Sequence, residues 1–444
     1  MIEEADFQSV GNCDGVTANQ LQTMFNESIY WPSSHMLNYQ LTQLESLVRH
    51  AKQHVPFYNK RLDCLFKRDG SIDWSRWKDI PILSRMEVRV SGDEMMSRVA
   101  PPLHGAVQTA FTSGSSGIPL KLSFPLIFTH VANVAWQRFY KLHGIMPANG
   151  VIDFKVNLPT PAAADAEFVS LTYENDGKNL FLIKRNLPTA TTLKLMQQSR
   201  FKTVTDSPNN LEVIAHANLR CGKPVQLDFI IGIGMGITSE QRMLFLESFG
   251  AKSISPYSSK EGSLMAFECP YGNDHFHSTA ELLLLEVLND QGEEVGPSES
   301  GVSVITPFFN SAQPLIRYRQ GDVLVRGSSH CNGSITLPSI AKVAGRQDAI
   351  FKFSGQDLTL FGMNNQLLSL AMRAEAFQFA QIGPEDVEVR YVSQFEMSHS
   401  DCERVANEFQ KVARAKVKMT FRRMQHIPLN AGGKQQRFVN ECKS

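Results

Sequence analysis

The chain has 444 residues, 42% hydrophobic and 20% charged, and 44 basic side chains balance 44 acidic ones. It is too long for one ordinary core, so two or more domains are expected, and its charge gives no reason to expect nucleic acid or another polyanion as partner. Residues 1–6 lack the basic and apolar blocks of a signal peptide, no apolar run is long enough for a bilayer, and seven scattered cysteines suggest no disulfide framework, so a reducing cytoplasm without membrane contact is expected.

In chain order, residues 36–55 place Leu37, Leu41, Leu44, Leu47 and Val48 at helical spacing and stop near Val55-Pro56. Asp79-Ile80-Pro81-Ile82-Leu83-Ser84-Arg85 reads as a turn with Ser84 capping the next helix. From residue 107 the pattern is strand, hydroxyl-rich loop, then a helix over 128–142. Short buried strands are predicted at 151–156, 203–204, 229–233 and 253–255, separated by helices that include 238–249. Strand-like segments follow at 282–288, 301–305 and 323–326, with turn residues between them. Past residue 348, a strand at 387–392, an amphipathic helix at 402–415 and a strand at 416–421 make a last domain of about a hundred residues. The expected class is α/β. A large N-terminal domain (1–347) of several subdomains with helix-covered sheets precedes a small mobile α+β domain (348–444).

Thr112-Ser113-Gly114-Ser115-Ser116-Gly117 has the composition of a phosphate-holding loop, since glycines allow close backbone approach and hydroxyls donate to phosphate oxygens. It is not a Walker loop, because Leu120-Lys121 follows where Gly-Lys-Ser/Thr would stand. Alone it also reads as a serine-rich surface turn. Four further stations follow it in order: Tyr257-Ser258-Ser259-Lys260-Glu261, Arg317-Tyr318-Arg319-Gln320-Gly321-Asp322, Gly345-Arg346-Gln347-Asp348, and Asn430-Ala431-Gly432-Gly433-Lys434.

As an ordered set these stations resemble the adenylate-forming superfamily of acyl-CoA ligases, adenylation domains and luciferases. The branch with phenylacetate-CoA ligase and coenzyme F390 synthetase is the most similar. His54-Val55-Pro56-Phe57-Tyr58, Ile80-Pro81-Ile82-Leu83, Phe267-Glu268-Cys269-Pro270 and Pro314-Leu315-Ile316-Arg317-Tyr318-Arg319 carry that closer likeness. The resemblance implies ATP-dependent activation of a small aromatic or heteroaromatic acid, with release of pyrophosphate. It implies a role for each station: Tyr257 stacking on adenine, Glu261 holding Mg²⁺, Asp322 accepting from the ribose hydroxyls, and Arg346 beside the nucleotide. Lys434 would neutralise charge as the carboxylate attacks phosphorus, and Asp348 would be the hinge of the small domain.

Three departures qualify the likeness. Lys260 stands where the relatives carry a phosphate-binding hydroxyl, so it either replaces that contact, meets a second anionic group on the substrate, or is a surface lysine. The relatives' glycine-rich aromatic segment is not recognisable at 157–164, and the acid pocket is instead expected at Gly232, Gly234, Met235 and Gly236. Some relatives hold zinc through Cys-Pro, a nearby His and a Cys-x-Cys pair. Cys269, His277 and Cys331 match, Ser329 replaces one cysteine, and His330 or His275 could complete the set. The acceptor expected for the second step is the thiol of coenzyme A. An amine or a carrier-protein thiol would use the same adenylate, a second copy of the chain is left open as partner, and a non-catalytic nucleotide binder is the rival reading.

Overall fold

A 22-residue helix, Ser33–His54, buries Met36, Tyr39, Gln40, Gln43, Leu44, Leu47, Val48 and Ala51, a stripe with the three- and four-residue spacing of one helical face. Pro56 ends it, because the residue before a proline is driven out of the helical region and Val55 is extended. The computed structural model describes residues 18–101, 104–112, 120–155, 158, 167–173, 178–185, 187–272, 275–328, 331, 333–346, 351–353, 356–358, 374, 376–413, 416–428 and 437–442.

These residues fall into two compact units. The first draws on Met1–Ser113, Ile118–Gly144 and Pro256–Val343. Most of a seven-stranded sheet lies in it, in the spatial order Leu283–Leu288, Ser300–Pro307, Tyr318–Arg326, Ser339–Arg346, Phe276–Ser278, Ser263–Glu268 and Pro256–Ser259. A two-stranded ribbon, Val107–Phe111 with Lys121–Pro125, leads into the helix Leu126–Leu142. A buried network ties the helices Ala18–Ser28 and Leu126–Leu142 to the turn that precedes the strand Leu283–Leu288: Arg138 Nη1 donates to Glu281 Oε1 at 2.5 Å and to the Phe25 carbonyl at 2.8 Å.

The second unit draws on Ile145–Ser255 and Ala344–Ser444. Its six-stranded sheet runs Phe168–Tyr173, Lys178–Lys184, Val151–Lys155, Thr203–Asp206, Phe229–Gly232 and Lys252–Ile254. All neighbours are parallel except the edge strand Phe168–Tyr173. Helices at Thr189–Ser199, Pro208–Leu219 and Ser239–Phe249 connect the parallel strands, and Ile152, Phe154, Val204, Ile230, Phe245 and Phe249 share one buried core. From Val151–Lys155 the chain adds Lys178–Lys184 on one side and Thr203–Asp206 on the other. Strand order therefore reverses there, and the crevice beyond the carboxyl ends of such strands is where open α/β sheets bind ligands.

In the same unit, a four-stranded sheet orders Lys418–Arg423, Asp386–Val392, Ala376–Gly383 and Phe438–Asn440. The helix His399–Ala413 packs on it through Val405 and Phe409, with the rings of Phe379 and Phe409 stacked at 5.4 Å. The expected class is thus the architecture observed: helix-covered sheets and a smaller C-terminal α+β part. The expected boundary between 347 and 348 lies in residues 347–350, outside those described.

Candidate active site

Two strands of the first unit's sheet, the edge strand Pro256–Ser259 and the interior strand Tyr318–Arg326, place the first group of side chains. The strand Pro256–Ser259 ends in a turn that Ser259 organises, its Oγ accepting from the Gly262 amide at 3.0 Å and from Gln320 Nε2 at 2.6 Å. The turn leaves Lys260 exposed and sends Glu261 inward, where it is 6% exposed. A side chain on Gly262 would meet Met265 Cγ at 2.8 Å, so only glycine fits there. Lys260 and Glu261, adjacent in sequence, thus point to water and to the interior respectively.

Tyr257, on the same strand, donates from its hydroxyl to Asp322 Oδ2 at 2.8 Å, with Ser303 Oγ 3.2 Å away. The expected adenine and ribose residues are therefore in contact across the sheet, and Tyr257 as a whole is buried.

The segment containing Ile80-Pro81-Ile82-Leu83 docks beside the strand Tyr318–Arg326. Leu83 N donates to the Arg317 carbonyl at 2.8 Å and Arg319 N to the Leu83 carbonyl at 2.9 Å. Arg317 clamps this junction, donating from Nη1 to the carbonyls of Lys78 and Ile80, both at 2.8 Å, while Nη2 pairs with Glu286 Oε1 at 3.1 Å. Ser84 then caps the helix Arg85–Ser91 in a capping box with Glu87. The first residue of that helix, Arg85, donates to Thr112 Oγ1 at 2.8 Å and lies 3.6 Å from Glu261 Oε1. The Tyr318 hydroxyl reaches the same Glu261 oxygen at 3.3 Å. Burial, and then the Glu261 charge, push the Tyr318 phenol well above its usual range, so it remains a donor.

Arg85 and Tyr318 had no assigned role in the sequence reading. The arrangement joins Thr112, the start of the hydroxyl-rich loop, to Glu261 through one guanidinium. A fixed cation beside a buried carboxylate and a hydroxyl suits a phosphate–metal ligand. Ser113, Gly114, Ser115, Ser116 and Gly117 lie outside the described residues, as do Asp348 and Lys434. Arg346 ends the strand Ser339–Arg346.

In the second unit, the expected acid-pocket glycines differ from one another. A side chain at Gly232 would meet Ile237 Cγ1 at 2.6 Å and Pro208 Cγ at 2.9 Å, so this glycine lets the strand end pack closely against Ile237 of its own loop and the start of the helix Pro208–Leu219. Gly234 has φ +78°, which glycine adopts without strain, and Gly236 faces open space. Met235 is half-buried between them. Ile233 N donates to the Asp206 carbonyl at 2.9 Å, so this loop lies at the carboxyl end of the Thr203–Asp206 strand, at the reversal of strand order. The Asp206 side chain pairs with Arg185 and Asn210 there. Its burial raises its pKa to about 6, against the influence of Arg185.

Cys269, His275, His277 and Cys331 place their ligand atoms within 4.8 Å of one another. Cys269 Sγ and Cys331 Sγ are 3.6 Å apart, and His275 Nε2 and His277 Nε2 are 3.1 Å apart. Tetrahedral zinc with ordinary bond lengths requires about 3.8 Å between sulfurs and about 3.3 Å between nitrogens, so the donor set fits. His277 Nδ1 faces the Leu337 carbonyl at 3.3 Å, the orienting contact usual for a histidine ligand. Burial lowers the His277 pKa to about 4, which keeps the imidazole neutral. Of the expected set, Cys269, His277 and Cys331 converge with His275; His330 lies outside the described residues.

No family model matches the chain. It is 21% identical to a phenylacetate-coenzyme A ligase of Thermus thermophilus, over 92% of this chain and 97% of the relative. Among solved structures, 2-hydroxyisobutyryl-CoA ligase in its postadenylation state with 2-HIB-AMP superimposes with a TM-score of 0.73 at 17% identity, covering 94% of this chain and 92% of that one. The O-succinylbenzoate coenzyme A synthetase of Bacillus subtilis, with ATP and magnesium ion, gives a TM-score of 0.50 at 13% identity over 74% of this chain and 68% of its own. No helix among the described residues is long and apolar enough to cross a membrane. In its ordered motifs, its near-full-length alignment to that relative and its fold, the chain thus resembles the adenylate-forming superfamily, and within it the phenylacetate-CoA ligase-like branch.

Proposed function

We propose that the chain is an ATP-dependent acid–CoA ligase acting on a small, aromatic or heteroaromatic carboxylic acid. The observation that carries the reading is the convergence of Arg85, Thr112, Tyr318 and Glu261 on one sheet that also pairs Tyr257 with Asp322. In the first half-reaction an acid carboxylate oxygen attacks the α-phosphorus of ATP, the bond to the β-phosphate oxygen breaks, and pyrophosphate leaves. In the second, the thiol of coenzyme A attacks the acyl carbon, its proton is lost to solvent, and AMP departs.

Asp322 would accept from the ribose while the Tyr257 hydroxyl fixes its orientation, and the Tyr257 ring would pack against adenine. Glu261 would contribute a carboxylate oxygen to Mg²⁺, which when bound neutralises phosphate charge. Arg85 and Thr112 would receive phosphate oxygens, with Lys260, exposed one residue from Glu261, adding a second cation. Lys434 would supply its ammonium as carboxylate and phosphate, both anions, approach each other, and would withdraw for the second half-reaction as residues 348–444 turn about Asp348. Cys269, His275, His277 and Cys331 would hold zinc in a structural role, since four protein ligands leave no open position for chemistry.

ATP–pyrophosphate exchange over a panel of aryl, heteroaryl, amino and short aliphatic acids tests the reading, with Lys434→Ala as control. Exchange with one acid class, abolished in the variant, is expected. ATP binding without exchange for any acid would refute it.

A further inference from the structure

Three residues, Lys260, Glu261 and Gly262, separate the paired residues Ser259 and Ser263 where the strands Pro256–Ser259 and Ser263–Glu268 meet. Ser263 has φ +54°, a left-handed backbone that serine holds only under strain and that persists only where the surroundings over-determine it. The Ser259 hydroxyl supplies the restraint. It accepts from the Gly262 amide at 3.0 Å inside the turn and from Gln320 Nε2 at 2.6 Å outside it. Gln320 is buried, and its Nε2 also lies 3.4 Å from Met265 Sδ.

Gln320 is the middle rung of three. Tyr318 donates to Glu261 at 3.3 Å, Gln320 donates to Ser259, and Asp322 accepts from Tyr257 at 2.8 Å, so residues 318, 320 and 322 meet residues 261, 259 and 257 in order. Three other strands lie between Tyr318–Arg326 and Pro256–Ser259 in the sheet, so side chains alone make these rungs. The strand bulges where it makes them: Val304 opposes Arg319 and Val302 opposes Val323, which leaves residues 320–322 facing Ser303 alone, with Gly321 at φ +82°. One outer rung would hold the metal and phosphates, the other the ribose. We propose that Ser259 and Gln320 are positioning residues, a spacer that fixes the Glu261 carboxylate relative to Asp322 and so matches the site to a nucleoside triphosphate with its metal. A ligand that touches only the Asp322 end is indifferent to that spacing, whereas one that also reaches Glu261 through Mg²⁺ depends on it.

The proposal rests on the ATP reading of this site, and its test separates the two. Titration calorimetry without any acid measures the affinities for AMP and for ATP with Mg²⁺ in the wild type, Ser259→Ala, Gln320→Met and the double variant. Either single substitution is expected to weaken ATP with Mg²⁺ on the order of tenfold, while AMP stays within about threefold. The double variant should bind no more weakly than Ser259→Ala, because both changes break one contact. An unchanged ATP affinity, an equal fall for both nucleotides, or losses that multiply in the double variant would overturn the spacer. A wild type that binds neither nucleotide refutes the ATP reading instead. The rung is then judged by amide hydrogen exchange of residues 260–262, where no acceleration in Gln320→Met overturns it.

Discussion

Replacing Arg317 with Met should destabilise the first unit in a strongly pH-dependent way. Arg317 is 2% exposed and donates to two backbone carbonyls and to both oxygens of Glu286. Methionine fills much of the volume but leaves a buried carboxylate with no cation, a change that costs about 3–5 kcal/mol. Protonation limits that cost. Burial already pushes Glu286 upward with Arg317 beside it, and without Arg317 the folded protein takes up the proton. Protonating a carboxyl whose unfolded pKa is near 4.5 costs about 3.4 kcal/mol near pH 7 and about 0.7 kcal/mol near pH 5. The sign follows from a folded pKa raised above the unfolded one: the variant's deficit is small near pH 5 and grows as pH rises. The two carbonyls left unpaired add about 1–2 kcal/mol at either pH. For a cooperative unit of about 230 residues, 4 kcal/mol corresponds to a Tm shift of about 8 °C. Calorimetry at both pH values, with Arg317→Met/Glu286→Leu as companion, measures it. A shift below about 2 °C, the same shift at both pH values, or no recovery in the double variant would refute the reasoning.

Other substitutions test the site. Tyr257→Phe removes the hydroxyl that orients Asp322, and AMP affinity should fall about three- to tenfold by titration calorimetry, with folding intact. Arg85→Met should raise the KM for ATP by on the order of tenfold or more while the fold survives, since the side chain is 31% exposed; an unchanged KM would remove Arg85 from the site. Cys269→Ser should abolish about one equivalent of bound zinc by elemental analysis and lower Tm, whereas metal-free wild-type protein of unaltered Tm would show that the cluster is not a metal site. Because burial raises Asp206 from an ordinary 3.8 to about 6, its contribution favours folding below about pH 4 and is lost through pH 6. Asp206→Asn should therefore flatten the stability curve over that window, and parallel curves would exclude the shift.

What the sequence determined by itself was chiefly local. Ser84 and Glu87, or Thr238 and Gln241, stand three apart, and that spacing alone closes a capping box. Apolar periodicity likewise marked a helix over residues 36–55, observed as Ser33–His54 with Leu44, Leu47 and Val48 buried but Leu37 exposed, and β-rich runs marked the parallel strands around Val204 and Ile230, because helix faces and buried strands are written into neighbouring residues. The order of five motifs carried the superfamily likeness. Tertiary structure decided which distant groups meet. Tyr257 finds Asp322 65 positions away because two strands of one sheet bring them together, and Arg85 reaches Glu261 because Leu83 docks beside Tyr318. His275 joins the cysteines because it lies two residues before His277 where the chain enters the Phe276–Ser278 strand, and Arg437 meets Glu212 across 225 positions. No spacing rule encodes such encounters: they depend on how sheets twist, pair and carry their loops, which is a property of the whole packed chain.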